Sequence, residues 1–437
     1  MTTPQVTTMR SLARAAGALA ATPLLLSCAA VTSNDRVNPE VPLWFHHASG
    51  SMHVYIDREL TAPARQVGEV YEHGRPAIDP AHGRVFIGSS DRGLYALSAA
   101  DGKTLWRFET MGVVQCEPLY DPQYDLLYFG SHDGAIYAVQ ARNGALLWRF
   151  YTGAEVSRKP VIGGPSGSVL FVANGSDQLF ALERATGRQL WTVHRTSALG
   201  MEIAAHAGPA YDGESVFMAY SDGHVAAYDP KDGSERWAPV DLSAEAEQTL
   251  GDAPRYLDVD TTPIVDDTPS GKVIYVASYA GGVFALDARS GSRVWMNEKA
   301  VGSTDLYLWK EPAHESREAS VGGEHPLVPA KHILIASSGV SGLWGLEPGT
   351  GHKLWRVPVP EGGITAAAPV AGALLVGTTQ YGLFLVSPVD GRPIDGIDLG
   401  SGFAETPAAY GNRGFILSNA GTFLGILIDD PLGRRGR

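Results

Sequence analysis

Hydrophobic and polar positions alternate in short runs along almost the whole chain, and the runs recur. The stretch "VFIGSSDRGLYALSAADGKTLWRF" from Val85 is matched by "LYFGSHDGAIYAVQARNGALLWRF" from Leu127 and "LFVANGSDQLFALERATGRQLWTV" from Leu170. Three further copies start at Val216, Ile274 and Ile333, and two decayed ones at Leu374 and Gly414. In each, a β-rich run such as residues 85–88 predicts a strand. A polar, Gly-bearing turn follows, then an alternating run such as 94–97. Asp-Gly, Asn-Gly, Thr-Gly or Ser-Gly next marks a tight hairpin, because Gly tolerates positive φ. The copy closes on a short strand ending in Trp. Upstream of each copy stands one more short run with a proline (Pro76, Pro118, Pro160, Pro209, Pro263, Pro326, Pro369, Pro407), a residue tolerated where a strand begins. Four strands per copy and eight copies are predicted.

Trp106, Trp148, Trp191, Trp237, Trp295 and Trp355 hold the register, with spacings of 42, 43, 46, 58 and 60 residues. Four-stranded repeats of roughly 40–45 residues are propeller blades. The fold class is therefore all-β, an eight-bladed β-propeller of four-stranded blades, with the tryptophans as blade core. The eighth copy stops at "DDPLGRRGR" without a Trp strand, and an open ring would leave two unpaired edges. The spare Leu43-Trp44 supplies a candidate: an N-terminal strand at about 41–47 is expected to complete the last blade, with Trp44 at the blade position. In the seventh copy Asp395 stands at that position.

Three long connections, residues 196–208, 239–260 and 300–325, are expected to project from the face that carries the links between blades. Loops on a rigid scaffold are where binding concentrates, and Leu199, Met201, Leu306, Tyr307 and Trp309 place apolar side chains there. Catalytic signatures are lacking: the sequence has no GxSxG, HExxH or P-loop. His46 and His47 read as solvated or packed. The acids Asp252, Asp258, Asp260, Asp266 and Asp267 lack the spacing of a calcium loop. The Asn174 sequon falls in a blade turn. Neither a metal nor a cofactor is expected.

The chain has 437 residues and a formal charge of -13, which argues against nucleic acid and against anionic lipid as direct ligands. Its first residues, "MRSLARAAGALAATPLLLSC" from Met9, give a basic start, a short apolar stretch and small residues before Cys28. Residues 25–28, Leu-Leu-Ser-Cys, resemble the bacterial lipobox. The expected organisation is a lipoprotein signal at 1–27, a tether at 28–40 anchored through acylated Cys28, a propeller at 41–430 and a disordered tail at 431–437. With Cys28 acylated, Cys116 is alone and reads as a small buried filler.

The body "G-x-[LVI]-[YF]-A-L-[DS]-x-x-[TD]-G-x-x-x-W" resembles the PQQ-type propeller repeat, eight-bladed in that family. One branch comprises quinoprotein dehydrogenases, which hold PQQ and calcium on the axis and carry a vicinal Cys-Cys pair. This chain has no such pair. Length, lipobox and short blades resemble the other branch, the non-enzymatic assembly lipoproteins BamB. That resemblance implies a monomer within an outer-membrane complex, docked on a POTRA-containing, BamA-like barrel assembly protein and anchored at the periplasmic face. "DVDTTPIV" from Asp258 matches the branch's docking stretch, so Asp258 and Asp260 are implied partner contacts. The second docking loop reads Leu199-Gly200-Met201-Glu202; Leu199 and Met201 keep its apolar character, while Glu202 replaces an Arg. Other secreted propellers share the bare repeat. A propeller that binds another envelope protein or a polysaccharide, or a PQQ-dependent dehydrogenase, is the alternative.

Overall fold

In the computed structural model, residues 50–61, 72–195, 206–251, 258–259, 261–315, 327–359, 363–380, 382–398, 402–429 and 431 are described. They form eight four-stranded antiparallel sheets. Blade 1 comprises Ala77–Asp79, Arg84–Gly88, Gly93–Ser98 and Thr104–Glu109, in that order across the sheet. Blades 2 to 7 repeat the order, and the first strands of successive blades lie side by side around the axis. The second and third strands are buried along their length, as in Val85, Phe86 and Ile87, because each faces a neighbouring sheet on both sides. Continuous apolar runs at these positions follow from that double burial.

Blade 8 is completed from the N-terminus, by Met52–Glu59 paired antiparallel with Thr422–Ile428. Closure by an N-terminal strand agrees with expectation, but the strand lies beyond 41–47, and Trp44 with the rest of that segment is outside the described residues. The closing strand carries no Trp. Ile56 faces Gly425, the place that Trp106 occupies opposite Ala96 in blade 1. Both strands are bulged beside that pair, between Val54 and Ile56 in one and between Ala96 and Leu97 in the other ladder.

The Trp position explains how blades join. Trp106 donates its indole N–H to the Ala141 carbonyl at 2.9 Å, in the third turn of blade 2. Its ring covers Gly144, at φ 71°, where a Cβ would come within 2.8 Å of the indole. The same bond links Trp148 to Arg184, Trp191 to Pro230, Trp237 to Ala288, Trp295 to Pro348 and Trp355 to Pro388. Asp395, at the seventh position, accepts instead from the backbone N–H groups of Ser51 and Met52 at 2.6 and 2.9 Å. Blade 8 has no third turn for an indole to cover, since its outer strand comes from the other end of the chain.

Blade 6 departs from expectation. Its inner strand is Ser303–Glu311, not a run at Pro326, and it pairs with Lys331–Ser338. Residues 300–325 are therefore not one long inter-blade link. Most of their extra length lies between the first and second strands, where His314–Glu315 and Leu327–Val328 make a small separate ladder. Trp309 is buried with Ile333 and Ile335 on the blade 7 side, whereas Leu306 and Leu308 face blade 5. The period of two typical of strands sorts these residues to the two seams, so they are core and not exposed loop.

Candidate functional site

The turn between second and third strands and the link between blades share one face, and hydrogen bonds tie them together. Val114 N–H donates to Ser89 O and His132 N–H to Val113 O, so the first link bridges the turns of blades 1 and 2. The pattern recurs after blade 4, where Val259 N–H donates to Tyr220 O and Tyr279 N–H to Asp258 O. Asp258 is thus part of a bridge between the turns of blades 4 and 5 and is only 2% exposed. Asp260, Leu199, Met201 and Glu202 lie outside the described residues.

A helix, Leu242–Leu250, reinforces the same seam. Asp241 caps it by accepting from Ser243 and Ala244 N–H, and Gly251 ends it in the left-handed conformation at φ 85°. Leu242 N–H bonds to Gly223 O in the turn of blade 4, and Ala246 lies against Gly281 in the turn of blade 5. Arg293 of blade 5 pairs with Glu245 at 2.8 Å. Residues 239–260 therefore carry the outer strand Val240–Asp241 and a helix that clamps two blades.

At the axis, charged residues precede the inner strands in register. Arg75 stands before Pro76, Glu117 before Pro118 and Lys159 before Pro160. Arg75 pairs with Glu405 of the link between blades 7 and 8, and lies 3.8 Å from Asp305 on the inner strand of blade 6. Lys159 pairs with Glu117. Burial alone would raise the Glu405 carboxyl, but Arg75 and a hydrogen bond from His73 hold it below its ordinary range. Burial likewise opposes the Arg75 charge, and Glu405 and Asp305 maintain it. Taken singly, these charges carry no sequence signature. A charged residue before the proline of three successive repeats was the available signal. A quinone with its calcium needs carboxylates and cations with free valence. At this end of the axis Arg75, Glu405 and Asp305 already satisfy one another, and they do not fit that group.

Other candidates resolve into structure. Asp79, His82 and Asp125 cluster closely enough to share a cation. However, Arg84 sits between the two carboxylates, 2.6 Å from Asp79 and bonded to Asp125, and supplies the positive charge itself. Asp266 is buried and paired with Lys310 at 2.6 Å. Cys116 is a buried free thiol that donates to Arg158 O at 3.1 Å, and burial pushes its pKa up to about 12, so it is protonated at neutral pH. Asn174 is buried and donates to Thr152 O, which leaves no room for a glycan.

Eight four-stranded blades, six of them docked by an indole on the following blade, define a propeller of the PQQ-repeat type. The chain belongs to the family described as "Outer membrane protein assembly factor BamB", whose profile matches residues 123–345. The BamB of Legionella pneumophila (strain Paris) is 25% identical over 225 residues, 51% of this chain and 51% of that relative. A tetrathionate hydrolase of Acidithiobacillus ferrooxidans is 24% identical over 357 residues, 79% of this chain and 57% of the hydrolase. The chain therefore spans only about half the length of these curated relatives. Among solved structures, BamB from Moraxella catarrhalis shares the fold with a TM-score of 0.63 at 18% identity, covering 85% of this chain and 100% of that one. Among the described residues no helix is long and apolar enough to cross a membrane.

Proposed function

We propose that the chain is a non-enzymatic scaffold of outer-membrane β-barrel assembly. A lipid on Cys28 holds it at the periplasmic face of the outer membrane, and a POTRA domain of a BamA-like barrel protein docks on the face that carries the links. Family membership is the observation that carries this reading. Topology adds to it: the links holding Leu199, Met201 and Glu202 on one side and Asp260 on the other enter and leave the same blade, blade 4. Tether and rigid face together would raise the local concentration of scaffold at the machine without any bond being made or broken. Because Glu202 stands where the branch has Arg, the partner would need a cation opposite it.

The test is recovery of a POTRA-containing barrel protein when the full, acylated chain is captured from gently solubilised membranes. Asp260→Arg combined with Glu202→Arg is expected to abolish it. Unchanged recovery would overturn the reading. Asp258→Arg is a poor probe, since burying an unpaired guanidinium at that bridge would damage the seam. The length of the match to the hydrolase supports a second reading, an envelope enzyme. Turnover of tetrathionate, or dye reduction after loading with PQQ and calcium, would favour it.

A further inference from the structure

Between the outer parts of blades 5 and 6 lies a cleft of about 710 Å³, lined by Lys299, Lys353, His352 and Arg356 with one acid, Glu298. That volume suits a small ligand. Its walls are held together. Trp295 and Asn297 of blade 5 donate to Pro348 O and Gly351 O of blade 6 at 2.8 and 2.7 Å. Asn297 Oδ1 accepts from the Lys299 N–H at 3.0 Å, which fixes the turn that carries that lysine. Arg356 lies over the buried Trp344 ring, 5.2 Å from its centroid, and donates through Nε to Ser341 O at 2.6 Å. Its guanidinium is therefore positioned by neutral groups.

Blade 1 provides an internal control. Arg107 occupies the same register and lies over Tyr95 in the same way. It is neutralised by Asp91 at 3.4 Å and Glu109 at 3.5 Å. In blade 6 those two acids are replaced by Val340 and Pro358. No ion pair among the described residues engages Lys299, Lys353, His352 or Arg356, although the chain as a whole is acidic. Even with His352 neutral, the two lysines and Arg356 exceed Glu298 by two positive charges, which a carboxylate would only half balance.

We infer that this cleft binds a phosphoryl-type oxyanion carrying at least two negative charges. Arg356 offers a fork of donors and the lysines supply flexible point charges. The source of the phosphoryl group is either a soluble molecule or a lipid headgroup, and two probes separate them. The full chain is titrated calorimetrically with pyrophosphate. It is also sedimented with vesicles of cardiolipin, whose headgroup carries two phosphates, in phosphatidylcholine. Saturable, salt-sensitive binding in either arm is expected, weakened at least about tenfold by Lys353→Gln with Arg356→Gln. Arg107→Gln should leave binding unchanged. Both sites are exposed, and circular dichroism checks that the variants fold. No binding in either arm overturns the proposal, and so does binding that ignores the blade 6 substitutions or responds equally to Arg107→Gln.

Discussion

Two kinds of seam hold the ring. Six are built alike, with an indole that covers a turn glycine and donates to a carbonyl of the next blade. The two seams at the closure divide those tasks among other residues. Where blade 8 meets blade 1, Ile56 covers Gly102, the counterpart of Gly144, and Tyr55 OH donates to Ala99 O at 2.8 Å, the counterpart of the Ala141 carbonyl. Where blade 7 meets blade 8, Asp395 fastens the start of the closing strand. Arg75 and Glu405 add an ion pair between the links that enter and leave blade 8. The regular seams share the indole and its neutral hydrogen bond, with ion pairs such as Arg84–Asp125 and Lys310–Asp266 crossing some of them, whereas the closure does without the indole. Satisfying the seam geometry, and not the presence of tryptophan, is what joins blades.

Removing residues 52–59 should give the largest effect. It strips the partner from the strand Thr422–Ile428, leaves its edge unpaired and takes away Met52 and Ile56, which lie in the cores on either side of blade 8. The folded ring is expected to be lost, with aggregation on size-exclusion chromatography and no cooperative thermal transition. A deletion that merely trims a tail would leave the melting curve intact. Next in size, Trp191→Ala breaks one regular seam. It should cost about 3–5 kcal/mol in urea unfolding, because the indole is 9% exposed and its turn glycine offers nothing to fill the void.

The regular seams were legible in the sequence because they repeat. A Trp, a small residue on the facing strand and a turn glycine recur with each copy, and the place of Asp395 was visible as the gap in that series. The closure was half legible. The missing outer strand implies an N-terminal donor, but the Trp series points to Leu43-Trp44. Met52–Glu59 announces itself only by the alternation of Met52, Val54 and Ile56, since the indole's two roles there fall to neighbouring residues. Blade 6 misled for a related reason: Pro326 imitated the start of an inner strand, and Ser303–Glu311 has no proline. The axial charges form pairs across blades, and no local pattern encodes partners so far apart in sequence. Of the implied docking residues, only Asp258 falls in a described segment, where burial and the bridge to Tyr279 assign it a structural part.

The ion pair beside the closure makes that region sensitive to acid. The Glu405 carboxyl is held below its ordinary value in the folded chain. Its contribution is therefore present in full above the unfolded carboxyl value and is lost as pH falls through the folded one. Acidification should loosen the blade 8 region, seen as faster amide exchange in 52–59 and 408–428. Glu405→Gln should remove that excess acid response and cost about 2–3 kcal/mol at neutral pH. The estimate is below that for a fully buried pair, as the two side chains are 19% and 17% exposed. Exchange in those strands that stays as acid-sensitive in Glu405→Gln as in the parent chain would contradict that role.

The smallest expected effect isolates the hydrogen bond of the closing seam. Tyr55→Phe keeps the ring that packs against Phe415 and deletes only the hydroxyl that reaches Ala99 O. A neutral bond of this kind contributes about 1 kcal/mol, and the Ala99 carbonyl loses that donor. If Tyr55 and Ile56 jointly replace one indole, their losses should not simply add. Tyr55→Phe with Ile56→Ala should differ from the sum of the single variants by more than about 0.5 kcal/mol, because the two side chains brace the same turn. Urea unfolding of the four proteins measures that coupling. Strict additivity would mean that the closing strand is fastened at two independent points, and the likeness to the tryptophan seams would then be one of position alone.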